Sequence, residues 1–356
     1  MRTRTLPGLV AAALALTATL TACGGEDAED GPDSGPAYAP EQSAAWKETV
    51  AAAEEEGKVV WYTVAPQASI DGLLAAFEKE FPDIEVEARK MGPAEMDAAL
   101  EAERTSQTAG ADVVTSVSYA TAYDRQADGW YVDLEGPSVE SGWSGTEYIS
   151  DGQILSAPLG LVVVGWNTQL FPEGIDSYED LYNPDLGDGA IGVVRPDFPV
   201  FADWWSFVEE HHDPDFVTEI AAQDPALFPN AVTTQEALVA GEIAIGTFTT
   251  ATDMETLKEQ GAPVDYWVPD AAWTAQNLFF IPESAEHSNA AQVFVDFFAS
   301  PTGQLAAARN GYSPVPEVTA QTRGGSSEIV LTDVERMRDP GWYPGWLPAW
   351  KKAFGE

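Results

Sequence analysis

From Gly57 onward the apolar positions switch between short continuous runs and helical stripes. Val59, Val60, Trp61 and Tyr62 form a β-branched and aromatic run suited to a buried strand. Thr63–Ala68 interrupts it. Ser69 can then cap a helix whose apolar residues Ile70, Leu73, Leu74, Phe77 and Phe81 fall on one face. Phe81-Pro82 ends that helix, because the residue before proline is pushed out of the α region. Ile84–Ala88 alternates as a second strand, which completes a βαβ unit. In open α/β sheets the ligand crevice lies at the carboxyl ends of the strands. That rule puts Thr63–Ser69 in the crevice, with the helix N–H groups pointing into it.

The same punctuation continues. Pro93 opens a helix running to about Thr105, Ala111–Ser116 is a strand, and Tyr119–Gln126 is a short helix. Leu155–Asn167 is the most apolar stretch past residue 23 and predicts one long strand crossing the whole protein. Asp176–Tyr182 predicts a short helix ended by Asn183-Pro184. Ala190–Val194 reads as a strand and Arg195–Pro199 as a loop. Phe201, Trp204, Trp205 and Val208 mark a helical stripe. Thr233 and Glu236 are spaced as a capping box for a helix closed by Gly241. Ile243–Gly246 is a strand running into Thr247–Thr250, and Val264–Val268 and Asn277–Ile281 are further strands. Ala290, Phe294, Phe297 and Phe298 form a core face, and Ser300 caps a helix with Pro301 first and Gly311 past its end. Strands alternating with helices predict an α/β protein with largely parallel sheets. No internal repeat is visible.

The amino terminus differs. Residues 1–22 have Arg2 and Arg4 ahead of a short apolar core, the pattern of a signal peptide. Leu20-Thr21-Ala22-Cys23 matches the bacterial lipobox, in which the cysteine is lipidated and becomes the mature terminus; a plain secretory peptide with an incidental cysteine is the alternative. Residues 23–43 are acidic, poor in apolar residues and suited to a tether. Cys23 is the only cysteine, which excludes an internal disulfide, a thiolate nucleophile and a cysteine metal site in the folded part. The net charge is −41, from 58 acidic and 17 basic residues, so nucleic acid is excluded as a partner. Such acidity suits a cationic ligand, or an exported protein solvated by its carboxylates.

The segments KVVWYT, LLAAFEKEFPDIEVE, ADVVTSVSYA, GLVVVGWNT, EALVAGEIAIG, KEQGAPVDYWVP and EHSNAAQVFVDFFASPTGQ follow one another in a familiar order. With them the chain resembles the bacterial extracellular solute-binding proteins of ABC importers, in the class that includes iron(III)-, thiamine- and phosphonate-binding members. The resemblance implies a type II periplasmic-binding-protein fold: two α/β lobes, each a mostly parallel sheet flanked by helices, joined by two crossing strands. Residues 44–160 plus 276–356 would form the first lobe and 161–275 the second. It further implies a monomer without cofactor that traps a small solute between its lobes and delivers it to a permease and ATPase. The membrane would be reached through lipidated Cys23.

The ligand is less constrained. Iron(III)-binding members hold the metal with adjacent tyrosines at the point where this chain has Thr247-Phe248-Thr249-Thr250, so the usual iron site is missing. Glu95 falls near a carboxylate that some members use for metal, or it faces the dipole of its own helix. Thr63, Gln67, Ser69, Ser116, Ser118, Tyr119, Thr247, Thr249 and Thr250 offer neutral hydrogen bonds where strands end and helices begin, a pattern that holds oxyanions. Arg195 either grips a carboxylate or phosphonate or pairs with one of many acids. Phe198, Phe248 and Trp273 are candidates for stacking. The expected ligand is a small organic molecule or oxyanion, with an iron complex as the alternative. His211-His212-Asp213 and His287 lack partners at ligand spacing, and no nucleophile or phosphate-loop motif is present. The reading is therefore not an enzyme, and a cell-surface enzyme or sensory lipoprotein is the distant alternative.

Overall fold

The computed structural model describes residues 43–158, 160–182, 189–308, 311–319, 321 and 327–356. The signal and lipobox expectations, Cys23 included, and Asn183-Pro184 lie outside the described residues. The first part of the chain runs α1 (Ala44–Glu56), β1 (Lys58–Thr63), α2 (Gln67–Glu80), β2 (Glu85–Lys90), α3 (Pro93–Ser106), β3 (Val113–Ser116) and α4 (Tyr119–Ala127). A π-helical turn, Val139–Trp143, leads to β4 (Ile149–Ser150) and β5 (Ile154–Pro158). Next come β6 (Val162–Asn167), a 3-10 turn (Glu179–Tyr182), β7 (Ile191–Val194), α5 (Pro199–His211), α6 (Phe216–Ala221), β8 (Ala226–Phe228) and α7 (Ala231–Ala240). They are followed by β9 (Ile245–Thr250), α8 (Ala251–Glu259), β10 (Val264–Trp267), β11 (Ala271–Thr274) and β12 (Gln276–Phe280). The chain ends with α9 (Ser288–Ala299), α10 (Pro301–Ala308), α11 (Pro316–Thr319), β13 (Glu328–Leu331), α12 (Val334–Arg338) and α13 (Trp342–Ala353).

Two main sheets result. The first has the order β2-β1-β3-β12-β5-β4, with β1 parallel to β2 and β3, and β12 antiparallel to its neighbours. The second has the order β10-β6-β9-β7-β8, with β7 parallel to β8 and β9. The predicted single strand Leu155–Asn167 is two strands, because the chain leaves the first sheet after Pro158 and enters the second at Val162. The return runs through β11 and β12. The Thr274 hydroxyl donates to the Gly160 carbonyl, so the outgoing and returning links are tied together. A small parallel pair, β11 with β13, lies on the return.

Local chemistry sets the helix starts. Ser43 accepts from the Trp46 N–H to cap α1, and Gly57 ends that helix at φ 66°. Ser69 does not cap α2: the helix begins at Gln67 behind Pro66, and Ser69 is buried in its first turn. Thr233 does not open α7 either. Asn230 is the cap, accepting from the Thr233 N–H at 3.0 Å, so the helix starts at Ala231. The first sheet packs Trp61 and Phe279 against Phe77, Phe294, Phe297 and Phe298 of α2 and α9. The second packs Trp204, Trp205 and Phe216 together. The C-terminal segment, expected with the first lobe, has α13 packed on α5 and α6 instead. Its Trp350 is fully buried, 5.9 Å from Trp205 and stacked on Phe354. Among the described residues no helix is long and apolar enough to cross a membrane.

Candidate functional site

Both sheets contain the same local order of three parallel strands, β2-β1-β3 in one and β8-β7-β9 in the other. Chain order reverses at the middle of each trio, and ligands of open α/β sheets bind outside the carboxyl ends of strands at that point. A cavity of about 170 Å³ lies there, lined by Pro93, Val117, Ser118, Tyr119, Ala120, Thr121, Phe198, Pro199, Val200 and Met337. That volume corresponds to about six waters. The lining comes from the loops after β2 and β3 on one side, from the loop after β7 on the other, and from α12.

None of these lining residues carries a charge. The polarity comes from the hydroxyls of Ser118 and Thr121 and from helix ends. Gly92, Ser118 and Phe198 precede α3, α4 and α5, and none caps its helix with a side chain. Pro93 and Pro199 occupy first positions, where the missing N–H costs nothing. First-turn N–H groups have no partner within their helix and carry the positive end of its dipole. The first turns of α4 and α5 border the cavity from two sides with the positive ends of their dipoles, and Val117, Phe198, Val200 and Met337 add apolar surface.

The structure brings Ser118, Tyr119 and Phe198 of the expected residues to this cavity. The Tyr119 phenol is turned away and donates to the Gln276 carbonyl at 2.7 Å. Burial pushes its pKa well above the usual phenol value, although Thr332 and the Gln276 carbonyl pull the other way. Ser116 shapes the loop by accepting from the Ser118 N–H at 3.1 Å. Thr63 is fully buried and accepts from the Ala65 N–H at 3.0 Å. Gln67 donates to Asp71 on its own helix.

The second-lobe expectations change most. Thr247–Thr250 is not a loop, because β9 continues to Thr250. Strand alternation turns Thr247 and Thr249 inward, where they donate to the carbonyls of Gly192 at 3.3 Å and Val163 at 2.9 Å. Thr250 caps α8. Phe248 sits in an aromatic cluster with Phe201, Trp204 and Trp273. Trp273 is core as well, and its indole donates to Asp203 at 3.0 Å. Arg195 pairs with Glu356 at 3.0 Å and lies 3.6 Å from Asp197. Glu95 is exposed in the first turn of α3 and does not line the cavity. His212 bonds the Ala271 carbonyl, Asp213 accepts from Tyr182, and His287 pairs with buried Asp112. Among the described residues no group of three or more His, Cys, Asp or Glu side chains is placed to hold a metal ion.

Asp203 on α5 is a buried carboxylate with a displaced titration. It accepts from Trp273, from the Asp333 N–H at 3.3 Å and from Arg336 at 3.1 Å. Burial raises its pKa from 3.8 to about 6, although Trp273 and Arg336 pull the other way. A folded pKa above the unfolded one means that the folded state binds the proton more tightly. This group's contribution to stability therefore grows as pH falls from above 6 towards 4. Thermal melts of wild type and Asp203→Asn should show the wild type gaining on the variant between pH 7 and 4.5. A pH-independent difference would contradict the assignment.

Residues 59–313 match the model of the bacterial extracellular solute-binding proteins. The chain belongs to that family. No curated protein matches it significantly. Solved structures add the fold. The substrate-binding protein of an ABC transporter from Agrobacterium tumefaciens aligns with TM-score 0.72 at 16% identity, covering 85% of this chain and 97% of that one. The periplasmic binding protein AfuA from Actinobacillus pleuropneumoniae, with exogenous fructose-6-phosphate bound, gives 0.64 at 19%, covering 84% and 99%. Iron-bound HitA from Pseudomonas aeruginosa gives 0.55 at 19%, covering 84% and 97%. The matched part of this solute-binding protein contains both sheets and all of the cavity lining except Met337.

Proposed function

We propose that the protein is the lipid-anchored, extracellular solute receptor of an ABC importer, and that its solute is a small organic oxyanion such as a carboxylate or phosphonate. The observation that carries this reading is an uncharged cavity faced by uncapped helix N-termini from both sheet units. An anion gains hydrogen bonds and dipole attraction there without a cationic side chain. Contacts to both units let the solute favour a closed form, which a permease and its ATPase can distinguish from the open one. The lipobox at Cys23 supplies the anchor.

Bare iron(III) fits this cavity poorly. Hard Fe(III) takes anionic oxygen donors, whereas no carboxylate lines the space and the one lining phenol is held protonated. A thermal-shift panel of methyl-, propyl- and phenylphosphonate, acetate, butyrate, thiamine and iron(III) citrate tests the reading. A solute at about one hundred times its Kd adds roughly 2.7 kcal/mol, seen as a rise of several degrees in Tm. At least one phosphonate or carboxylate should give it. A shift with iron(III) citrate or thiamine alone would reject the oxyanion reading.

A further inference from the structure

The family match ends at residue 313, yet the cavity has a wall from beyond it. Met337 is 6% exposed and lines the cavity from α12. The segment that carries it is fixed from several directions. β13 extends the return link by pairing with β11, Thr332 bonds Thr274 through its backbone N–H, and Gln276 donates to the Thr332 carbonyl. Arg336 reaches the second-sheet side, pairing with Asp203 at 3.1 Å and Glu210 at 2.8 Å on α5. Arg338 reaches the first-sheet side, lying 4.9 Å over the ring of Tyr123 on α4. The five-residue helix α12 thus bridges α4 and α5 through Arg338 and Arg336, and holds one unbranched apolar side chain between them.

Resting on the oxyanion reading of the cleft, we infer that the segment Glu328–Arg338 is part of the binding apparatus, with Met337 limiting the apolar arm of the solute. The N-termini of α4 and α5 hold the charged end. Met337 closes the cavity beside Val117, Phe198 and Val200, so its length sets how far an alkyl group can extend. A flexible thioether suits such a stop, because it adapts to the shape it meets.

Two measurements test this separately from the identity of the solute. In the full chain carrying Cys23→Ser, Met337→Cys is alkylated with iodoacetate and with iodoacetamide, and Glu335→Cys serves as the exposed control on the same helix, Glu335 being 91% exposed. The ratio of iodoacetate to iodoacetamide rates should be at least about tenfold higher at position 337. Equal ratios, or no reaction at 337 with either reagent, would overturn the inference. In the second measurement, calorimetry follows methyl-, propyl- and pentylphosphonate binding to wild type and Met337→Ala, with Tm confirming that the variant folds. The variant should shift preference towards pentylphosphonate by about tenfold. A uniform change across the series, or none, would overturn the inference. A raised alkylation ratio without phosphonate binding to the wild type supports the segment's place in the cleft and rejects only the choice of solute.

Discussion

Phe294→Ala is expected to lower the stability of the protein by about 3–5 kcal/mol, the range for removing a large aromatic from a packed core. Phe294 is fully buried on α9. Its ring lies 5.2 Å from Trp61 of β1 and 5.1 Å from Phe77 of α2, so it joins the first βαβ unit to the returning chain. Neighbouring Phe297 meets Phe77 and Phe81 edge-on, and Phe279 stacks on Phe298. These rings are locked against one another, so the site cannot collapse around the loss and the cavity term stays. Denaturant unfolding should show the midpoint falling with an unchanged slope. A loss under 1 kcal/mol would mean that the β1–α2 unit does not depend on α9.

That unit was readable from the chain itself. Val59–Tyr62 became the buried centre of β1, and Ile70, Leu73 and Phe77 became the buried stripe of α2. Proline and glycine positions were read well where backbone chemistry alone decides, as at Pro93, Pro301 and Gly241. Caps were read less well. Ser69 and Thr233 had suitable hydroxyls, but Pro66 and Asn230 start their helices earlier.

The candidate site was legible in part, for a physical reason. Threonine is both a hydrogen-bonding loop residue and a good strand residue. Thr247 and Thr249 followed a predicted strand end, yet they continue β9 and give their hydroxyls to neighbouring strands. The alternation of Ile245, Thr247 and Thr249 against Gly246 and Phe248 was the available signal. Trp273 and Arg195 carry chemistry that suits a pocket, but Asp203 and Glu356 occupy their polar atoms. Val117, Ala120, Thr121 and Met337 were missed as lining residues, and so was Pro93. The first three are ordinary residues that matter because two loops face each other. Met337 reaches the site only through the pairing of β11 with β13, which no local pattern announces.

The largest functional effect is expected at Ala120. It is an exposed residue in the first turn of α4 that lines the cavity. A glutamate there suits the helix, since an acid in the first turn contributes about 0.3–1 kcal/mol. The same carboxylate would occupy the cavity and repel an incoming anion. Ala120→Glu should therefore fold at least as well as wild type while binding its phosphonate or carboxylate at least about one hundredfold more weakly, a loss of about 2.7 kcal/mol. Ala120→Gln has nearly the same size without the charge and should lose much less.

Calorimetric Kd values of wild type, Ala120→Gln and Ala120→Glu, taken for the oxyanion that raises Tm most, test the cleft most directly. The account predicts a steep drop from glutamine to glutamate with both variants folded; equal affinities for the two would contradict it.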